Sequence, residues 1–346
     1  IKKYISTACI FIIVIQLAAL FVVMLKAPDQ PSSKYFSINS DDKFTFSKEK
    51  NVIVLVLDTF QTDIFQEIIN ENEQYFDVFD GFTYFRNSLA CFPKTYPSIA
   101  AILTGQYYDN TIPMQKFIEK NFLNNSIPQL LKSNGYQVDM FPNPEKTILV
   151  SDKVMSNVDY LRKNYTLSDL ADLYDITLFR FVPHFLKKYV YNDQEWFLKK
   201  MTKDFEPVVL NNNENVRNMN SSSIFSNEVI KLSYDVNFID QMLSFSKIND
   251  TKKVFKFYHL NGAHKPFIVN EKFEYENMII NRNNYKISAK VSLEIVKMFL
   301  NKLKELGVYD NSLIIIIGDH GAGDYEIGLN LDLLKDNNVL DKKQDK

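Results

Sequence analysis

The chain has 346 residues, a net charge of −2, 46% hydrophobic residues and 14% aromatic residues. That composition supplies a substantial core and excludes global disorder, and Lys and Arg scattered among similar numbers of Asp and Glu leave no basic stripe for nucleic acid. The two cysteines, Cys9 and Cys91, do not make a disulfide framework, and Cys91 reads as a small buried residue rather than a nucleophile.

From Tyr4 to Leu25 the sequence is apolar and free of charge, long enough for the roughly 20 residues that cross a bilayer. Lys2 and Lys3 precede it and Lys26 follows, which favours a cytoplasmic N-terminus. A cleaved signal peptide is the competing reading, but the run is longer than a usual h-region and no small-x-small cleavage site follows. Residues 1–27 are therefore expected to be a transmembrane helix. Because the chain opens on Ile, it is expected to be the last of several spans, with the N-terminus truncated. Residues 28–50 are polar and turn-rich and read as a linker. The remaining domain is expected over residues 51–346.

Asn51 to Leu57 is a short apolar run rich in β-branched residues, as in a strand buried on both faces of a parallel sheet. Phe82 to Phe85 reads as an aromatic strand. Ser126 to Ser133 reads as a helix with Ser126 as cap, ended by Asn134-Gly135, and Tyr136 to Phe141 as the next strand. Leu167 to Val190 is an aromatic-rich helical patch, expected to pack on the core rather than lie against a membrane surface. Asn211 to Asn227 is rich in Asn and Ser. The alternation returns with the strand Val254–His259, an amphipathic helix over Ser288–Leu306 and a buried strand at Leu313–Ile317. The pattern predicts an α/β domain with a mostly parallel central sheet flanked by helices.

The stretch Phe92 to Gly105 reads as a loop turning into a short apolar helix, with Pro97 suited to the first helical position. Thr95 then sits just ahead of the helix N-terminus. There it can serve as an N-cap, or as a hydroxyl nucleophile beside a helix end that favours anions. Lys94 next to it reads as a solvated lysine. Three strands run into groups with metal or acid–base capability: Asp58, His259 with His264 just beyond, and Asp319-His320 flanked by glycines. Ligands collect beyond the carboxyl ends of strands in open α/β sheets, so these groups are expected to converge. Two carboxylates, an imidazole and a hydroxyl make a shell suited to Zn²⁺ or Mn²⁺. The fourth histidine, His184, reads as structural.

These residues resemble the alkaline phosphatase/sulfatase superfamily, and within it the membrane-anchored branch of phosphoethanolamine transferases and lipoteichoic acid synthases. The resemblance covers Asn51 to Pro142 and Val254 to Gly323. It rests on Asp58 after the first strand, on Thr95-Tyr96-Pro97-Ser98 running to Leu103-Thr104-Gly105, on Gly262-Ala263-His264-Lys265-Pro266 and on Asp319-His320-Gly321. It implies an alkaline phosphatase-like fold and a divalent metal, Zn or Mn, held by Asp58, Thr95, Asp319 and His320. Thr95 is then the nucleophile, His264 binds the substrate phosphate or moves a proton, and His259 supports. The implied activity is transfer of a phosphoethanolamine or glycerophosphate head group from a phospholipid donor to a glycan or lipid acceptor, through a phospho-threonine. The implied location is a bacterial-type plasma membrane, with the catalytic domain on the extracytoplasmic side.

Departures from the sulfatase pattern bear on this reading. Thr95 stands where sulfatases use Cys or Ser, Ile99 where they have Arg, and Thr59 where they commonly have a second acidic ligand. The sequence stops soon after His320, so the C-terminus is expected to be truncated. Two other classes compete: a sulfatase-like hydrolase or phosphodiesterase using water as acceptor, and a non-catalytic lipid-binding regulator.

Overall fold

The structure is a computed structural model that describes residues 4, 11, 14, 15, 35–86, 88–144, 147–161, 167–192, 195–202, 223–249, 252–323 and 327–329. The chain divides into a small unit, residues 1–35 and 160–165, and a large unit made of the rest. The expected span Tyr4–Leu25 falls in the small unit and lies outside the described residues except at four positions. Among the described residues, no helix is long and apolar enough to cross a membrane.

In the large unit the principal elements, in chain order, are β1 (Asn51–Leu57), α1 (Thr62–Glu71), α2 (Thr95–Thr104), α3 (Met114–Asn125), α4 (Ile127–Ser133), β2 (Gln137–Phe141), α5 (Leu167–Phe181), α6 (Tyr234–Phe245), β3 (Val254–Leu260), α7 (Arg282–Glu305) and β4 (Ser312–Gly318). The four strands form one parallel sheet in the order β4-β1-β3-β2. Register is the feature that positions the site. Leu57 pairs with both Leu260 and Gly318, so β1, β3 and β4 end level with one another.

All of β1 is buried because its two side-chain sets are both covered, as strand alternation requires. Ile53, Leu55 and Leu57 pack with Phe238, Ile239, Ile295 and Phe299 of α6 and α7. Val52, Val54 and Val56 face the other way, onto Ile99, Leu103, Phe117 and Phe122 of α2 and α3. Burying each such side chain contributes about 1.5–3 kcal/mol, so the helical layers lock the sheet register. A charged pair crosses this core: Lys256 Nζ meets Asp139 Oδ2 at 2.7 Å with both side chains buried, and the ammonium also donates to the Asp42 carbonyl at 2.6 Å.

The helix at Ser126 is as expected, with the Ser126 hydroxyl accepting from the Gln129 N–H at 3.2 Å. Four expectations need correction. Phe82–Phe85 forms no strand: its aromatic rings satisfy themselves by packing, Phe82 on Phe79 and Tyr84 on Phe65. Helix α7 begins at Arg282 rather than Ser288, because the Asn281 side chain caps it through the Asn284 N–H. Strand β4 lies at the sheet edge rather than being buried, with Leu313 56% exposed and Ile315 40% exposed. The patch Leu167–Val190 does not sink into the core: Leu173, Tyr174, Phe181, Phe185 and Tyr189 are all exposed.

Two glycines allow the strand ends to approach other backbone. A Cβ on Gly318 would lie 2.5 Å from the Phe60 carbonyl oxygen, and one on Gly262, whose φ is +58°, would lie 2.6 Å from Asp58 backbone atoms. Gly318→Ala is therefore expected to cost about 1–3 kcal/mol, and Gly262→Ala about 1–2 kcal/mol more for its left-handed backbone. Gly323→Ala, which meets nothing within 4 Å, should leave the urea midpoint where it is.

Candidate active site

Asp58, the residue after β1, is buried, and the residue after β4 is Asp319, also buried. The chain turns sharply between β1 and α1, with Thr59 at φ +58°. That turn aims the Thr59 N–H at Asp319 Oδ1, 3.1 Å away, and its hydroxyl at Asp58 Oδ1, 3.0 Å away. The His320 N–H donates to the same Asp319 oxygen at 2.8 Å. The other carboxylate oxygen, Asp319 Oδ2, is buried and has no hydrogen-bond partner among the described residues.

The His320 ring completes the cluster. Its Nδ1 lies 2.8 Å from the Gly321 carbonyl oxygen, which can only accept, so Nδ1 carries a proton and the ring turns Nε2 into the cluster. That Nε2 lies 3.1 Å from Thr95 Oγ1, 3.5 Å from Asp58 Oδ1 and 3.6 Å from Asp319 Oδ2. Ligand atoms of Asp58, Asp319 and His320 all fall within 4.8 Å of one another.

Thr95 is the first residue of α2, and the cap position belongs to Lys94, which makes no side-chain capping bond. The hydroxyl is thus engaged with His320 rather than with its own helix. Pro97 is consequently the third helical residue, not the first, a position where its missing N–H still costs no intrahelical bond. Ser98, buried, ties the helix start to the preceding loop by donating to the Phe92 carbonyl at 2.9 Å. Lys94 is solvated as expected, but Cys91 is exposed rather than buried, since the loop before α2 stands clear of the core.

His259 is the sixth residue of β3, fully buried inside the strand rather than beyond its end. Its Nε2 points at Asp58 Oδ2 from 3.8 Å. Burial, opposed by the Asp319 charge, pushes its pKa down to about 4, so the ring is neutral. His264 is exposed, with Nδ1 bonded to the Lys265 carbonyl at 2.6 Å. Among the described residues it makes no hydrogen bond to the cluster, though its charge acts on Asp58. Beyond it opens a cavity of about 470 Å³ lined by Lys265, Pro266, Asn277, Met278, Ile279 and Ile280. His184 lies exposed in a short 3₁₀ turn and is not among the clustered groups.

Several residues that hold the site carry no sequence signal. The Tyr285 hydroxyl, on α7, donates to the Thr59 carbonyl at 2.5 Å and accepts from the Gln61 N–H at 3.0 Å. Gln61 Oε1 in turn accepts from the Ala322 N–H at 2.7 Å. Asp235 on α6 accepts from the Asn261 and Gly262 N–H groups at 2.7 and 2.9 Å, which fixes the loop from β3 to His264. Burial raises its pKa to about 7 against those two bonds. A Ser-Tyr-Asp start to a helix says only that Ser233 caps it; nothing local says what Asp235 will reach.

The cluster fits a divalent cation. Two buried carboxylates face one another, and burial, followed by the Asp319 charge, raises the pKa of Asp58. The partnerless Asp319 oxygen, the His320 Nε2 and the Thr95 hydroxyl that meets it supply the remaining donors, a mixed oxygen and nitrogen set of the kind zinc and manganese take.

Fold and site together define an α/β protein with a candidate divalent-metal centre at the carboxyl edge of its parallel sheet. The Sulfatase family profile matches residues 50–345, and the chain belongs to this family of enzymes, within the alkaline phosphatase/sulfatase superfamily. Enzymes of the superfamily are generally dependent on divalent metals. Among solved structures the chain is similar to the lipoteichoic acid synthase LtaP from Listeria monocytogenes, at 16% identity over 86% of this chain and 63% of that one, with a TM-score of 0.41. It is also similar to a protein in the alkaline phosphatase superfamily from Vibrio parahaemolyticus, at 14% identity over 88% and 61%, with a TM-score of 0.40. A third is Ps i-CgsB in complex with k-i-k-neocarrahexaose, at 16% identity over 82% and 61%, with a TM-score of 0.42. The chain thus spans 61% to 63% of the length of these structures. No curated protein matches it.

Two outcomes are expected of the site. Asp58→Asn and Asp319→Asn should each weaken Zn²⁺ or Mn²⁺ binding by more than the ~10–100-fold that loss of an outer-shell partner costs, read by isothermal titration; parental affinity in both would sink the centre. For Asp235, the native pKa of about 7 lies above the ordinary carboxylate value, so the native state takes up a proton between roughly pH 4 and 7. Its stabilising contribution is complete below about pH 4 and lost as pH rises through 7. Urea midpoints measured across that window should fall less steeply in Asp235→Asn than in the parent.

Proposed function

We propose that the chain carries a metal-dependent transferase that moves the phosphoryl head group of a phospholipid through a phospho-threonine on Thr95. The observation that carries the reading is the placement of the Thr95 hydroxyl, at the head of α2, 3.1 Å from the Nε2 of His320, whose ring clusters with the two buried carboxylates. A zinc or manganese ion held by Asp58, Asp319, His320 and Thr95 supplies charge neutralisation and a lowered hydroxyl pKa.

The chain's own groups do the rest. Thr95 Oγ bonds to phosphorus as the bond to the diacylglycerol oxygen breaks, and the threonine proton ends on that oxygen as diacylglycerol leaves. The head of α2 leaves first-turn N–H groups without intrahelical acceptors, and its positive end favours the phosphate oxygens. His264 steadies those oxygens or carries the proton, with His259 in support behind Asp58. In the second step a hydroxyl of a glycan or lipid acceptor attacks phosphorus, Thr95 leaves and recovers a proton. The Met278, Ile279 and Ile280 wall of the cavity beyond His264 suits the apolar part of such a donor. In this reading the run Tyr4–Leu25 anchors the protein in a bacterial-type plasma membrane, with the catalytic domain extracytoplasmic.

Thr95 and Ile99, where sulfatases carry a modifiable Cys or Ser and an Arg, weigh against sulfate ester hydrolysis. Incubation of the metal-loaded full chain with phosphatidylethanolamine or phosphatidylglycerol, followed by intact-protein mass spectrometry, is expected to show a head-group adduct that vanishes in Thr95→Ala. Absence of any adduct overturns the transferase, and release of soluble head group without acceptor product assigns a hydrolase instead.

A further inference from the structure

Helix α5 and the turns after it fold by their own contacts and leave an apolar face outward. The inner face is committed: Ala171 and Asp175 are buried, and the Asp175 carboxylate accepts from the Leu198 and Lys199 N–H groups, both at 2.9 Å. Phe179 stands edge-on to Tyr191 and Trp196, with centroids at 6.2 and 5.8 Å. These contacts fix the rotation of the helix, so its other side cannot turn inward. On that side Leu173, Tyr174 and Phe181 are 61–85% exposed, and Phe185 and Tyr189, in the turns that follow, are 72% and 66% exposed. A concentration of large apolar side chains in one short stretch marks an interaction surface rather than ordinary surface scatter.

The charge around the face identifies the occupant. Within the face's own stretch, residues 173–189, the charged side chains are Arg180, Lys187 and Lys188 against Asp175, which is buried. Lys188 Nζ sits 5.1 Å from the ring centroid of exposed Tyr189, and Lys187 Nζ sits 4.7 Å from that of half-buried Phe179 at the border of the face. Aromatic and leucine side chains bordered by lysine are the composition of elements that lie in the plane of an anionic bilayer. A second copy of the chain fits less well, because a two-fold interface would set this basic face against itself.

We propose that the face from Leu173 to Tyr189 docks on an anionic phospholipid surface, with Phe181 and Phe185 entering the headgroup boundary and Lys187 and Lys188 meeting lipid phosphates. This rests on the membrane-bound lipid donor of the proposed function and supplies the surface by which the catalytic domain would settle against that membrane.

The test uses the full chain with Cys9→Ser and Cys91→Ser, labelled with an environment-sensitive fluorophore at Phe185→Cys, at Tyr189→Cys or, as a control on exposed Leu130 of α4, at Leu130→Cys. Each is reconstituted in vesicles of phosphatidylcholine alone or mixed with phosphatidylglycerol. Emission at the first two positions is expected to rise and shift to shorter wavelength with the anionic lipid and not at the control, and to fall back in Lys187→Glu/Lys188→Glu. Equal emission at all three positions, or indifference to both anionic lipid and charge reversal, overturns the proposal. Protection that instead tracks dimer mass in light scattering, without lipid dependence, overturns it in favour of a second copy. Thr95→Ala should leave the signal intact, so failure of docking and failure of the chemistry read out separately.

Discussion

Two buried carboxylates at neighbouring strand ends set the terms for this structure. Asp58 and Asp319 repel each other in a medium that screens poorly, and burial together with the Asp319 charge raises the pKa of Asp58. The surroundings answer that cost with donors: the Thr59 and His320 N–H groups on one Asp319 oxygen, and the Thr59 hydroxyl on Asp58. What remains is one bare carboxylate oxygen beside an imidazole nitrogen that meets the Thr95 hydroxyl, a set of donors that a divalent cation satisfies. The arrangement depends on parallel register. A slip of one residue between β1 and β4 would carry every side chain to the opposite face and separate the pair.

Holding that register is the work of both helical layers, and the helices also reach into the site. Tyr285 of α7 clamps the turn that follows β1 through Thr59 and Gln61, and Gln61 fastens the chain after His320. Asp235 of α6 clamps the turn that follows β3. Neither touches the cluster. Each ties a loop of the candidate site to an element already fixed by the core, so the cluster inherits the rigidity of the packed layers. Gly262 and Gly318 make the same point from the backbone side, since a methyl group at either would displace the chain that carries Asp58 or Phe60.

The α5 region obeys a different logic. Its inner contacts, the Asp175 caps and the Phe179–Tyr191–Trp196 ring cluster, are local in sequence. Such a region can fold without surrendering its apolar outer face to the core. The expectation that its aromatics would be buried failed for this reason: amphipathicity gives a face, not the identity of what covers it. The same limit explains Phe82–Phe85, whose aromatic content suited a strand while its rings found partners on the adjacent helical segment.

Much of the architecture was legible from neighbouring residues. The runs at Asn51–Leu57 and Val254–His259 and the Ser126 cap are local signals, and strand-end chemistry pointed to Asp58, Asp319 and His320 because parallel sheets gather ligands at one edge. The edge position of β4, the early start of α7 and the depth of His259 were not legible, since each depends on which element packs alongside. The sequence by itself determined which chemical groups stand at the ends of strands and at the head of α2, because backbone preference and hydrophobic period act over a few residues. Only the tertiary structure decided which of them meet. Thr95 and His320 are separated by 225 positions and Thr59 and Asp319 by 260, and what closes those distances is sheet register fixed by the packing of two helical layers.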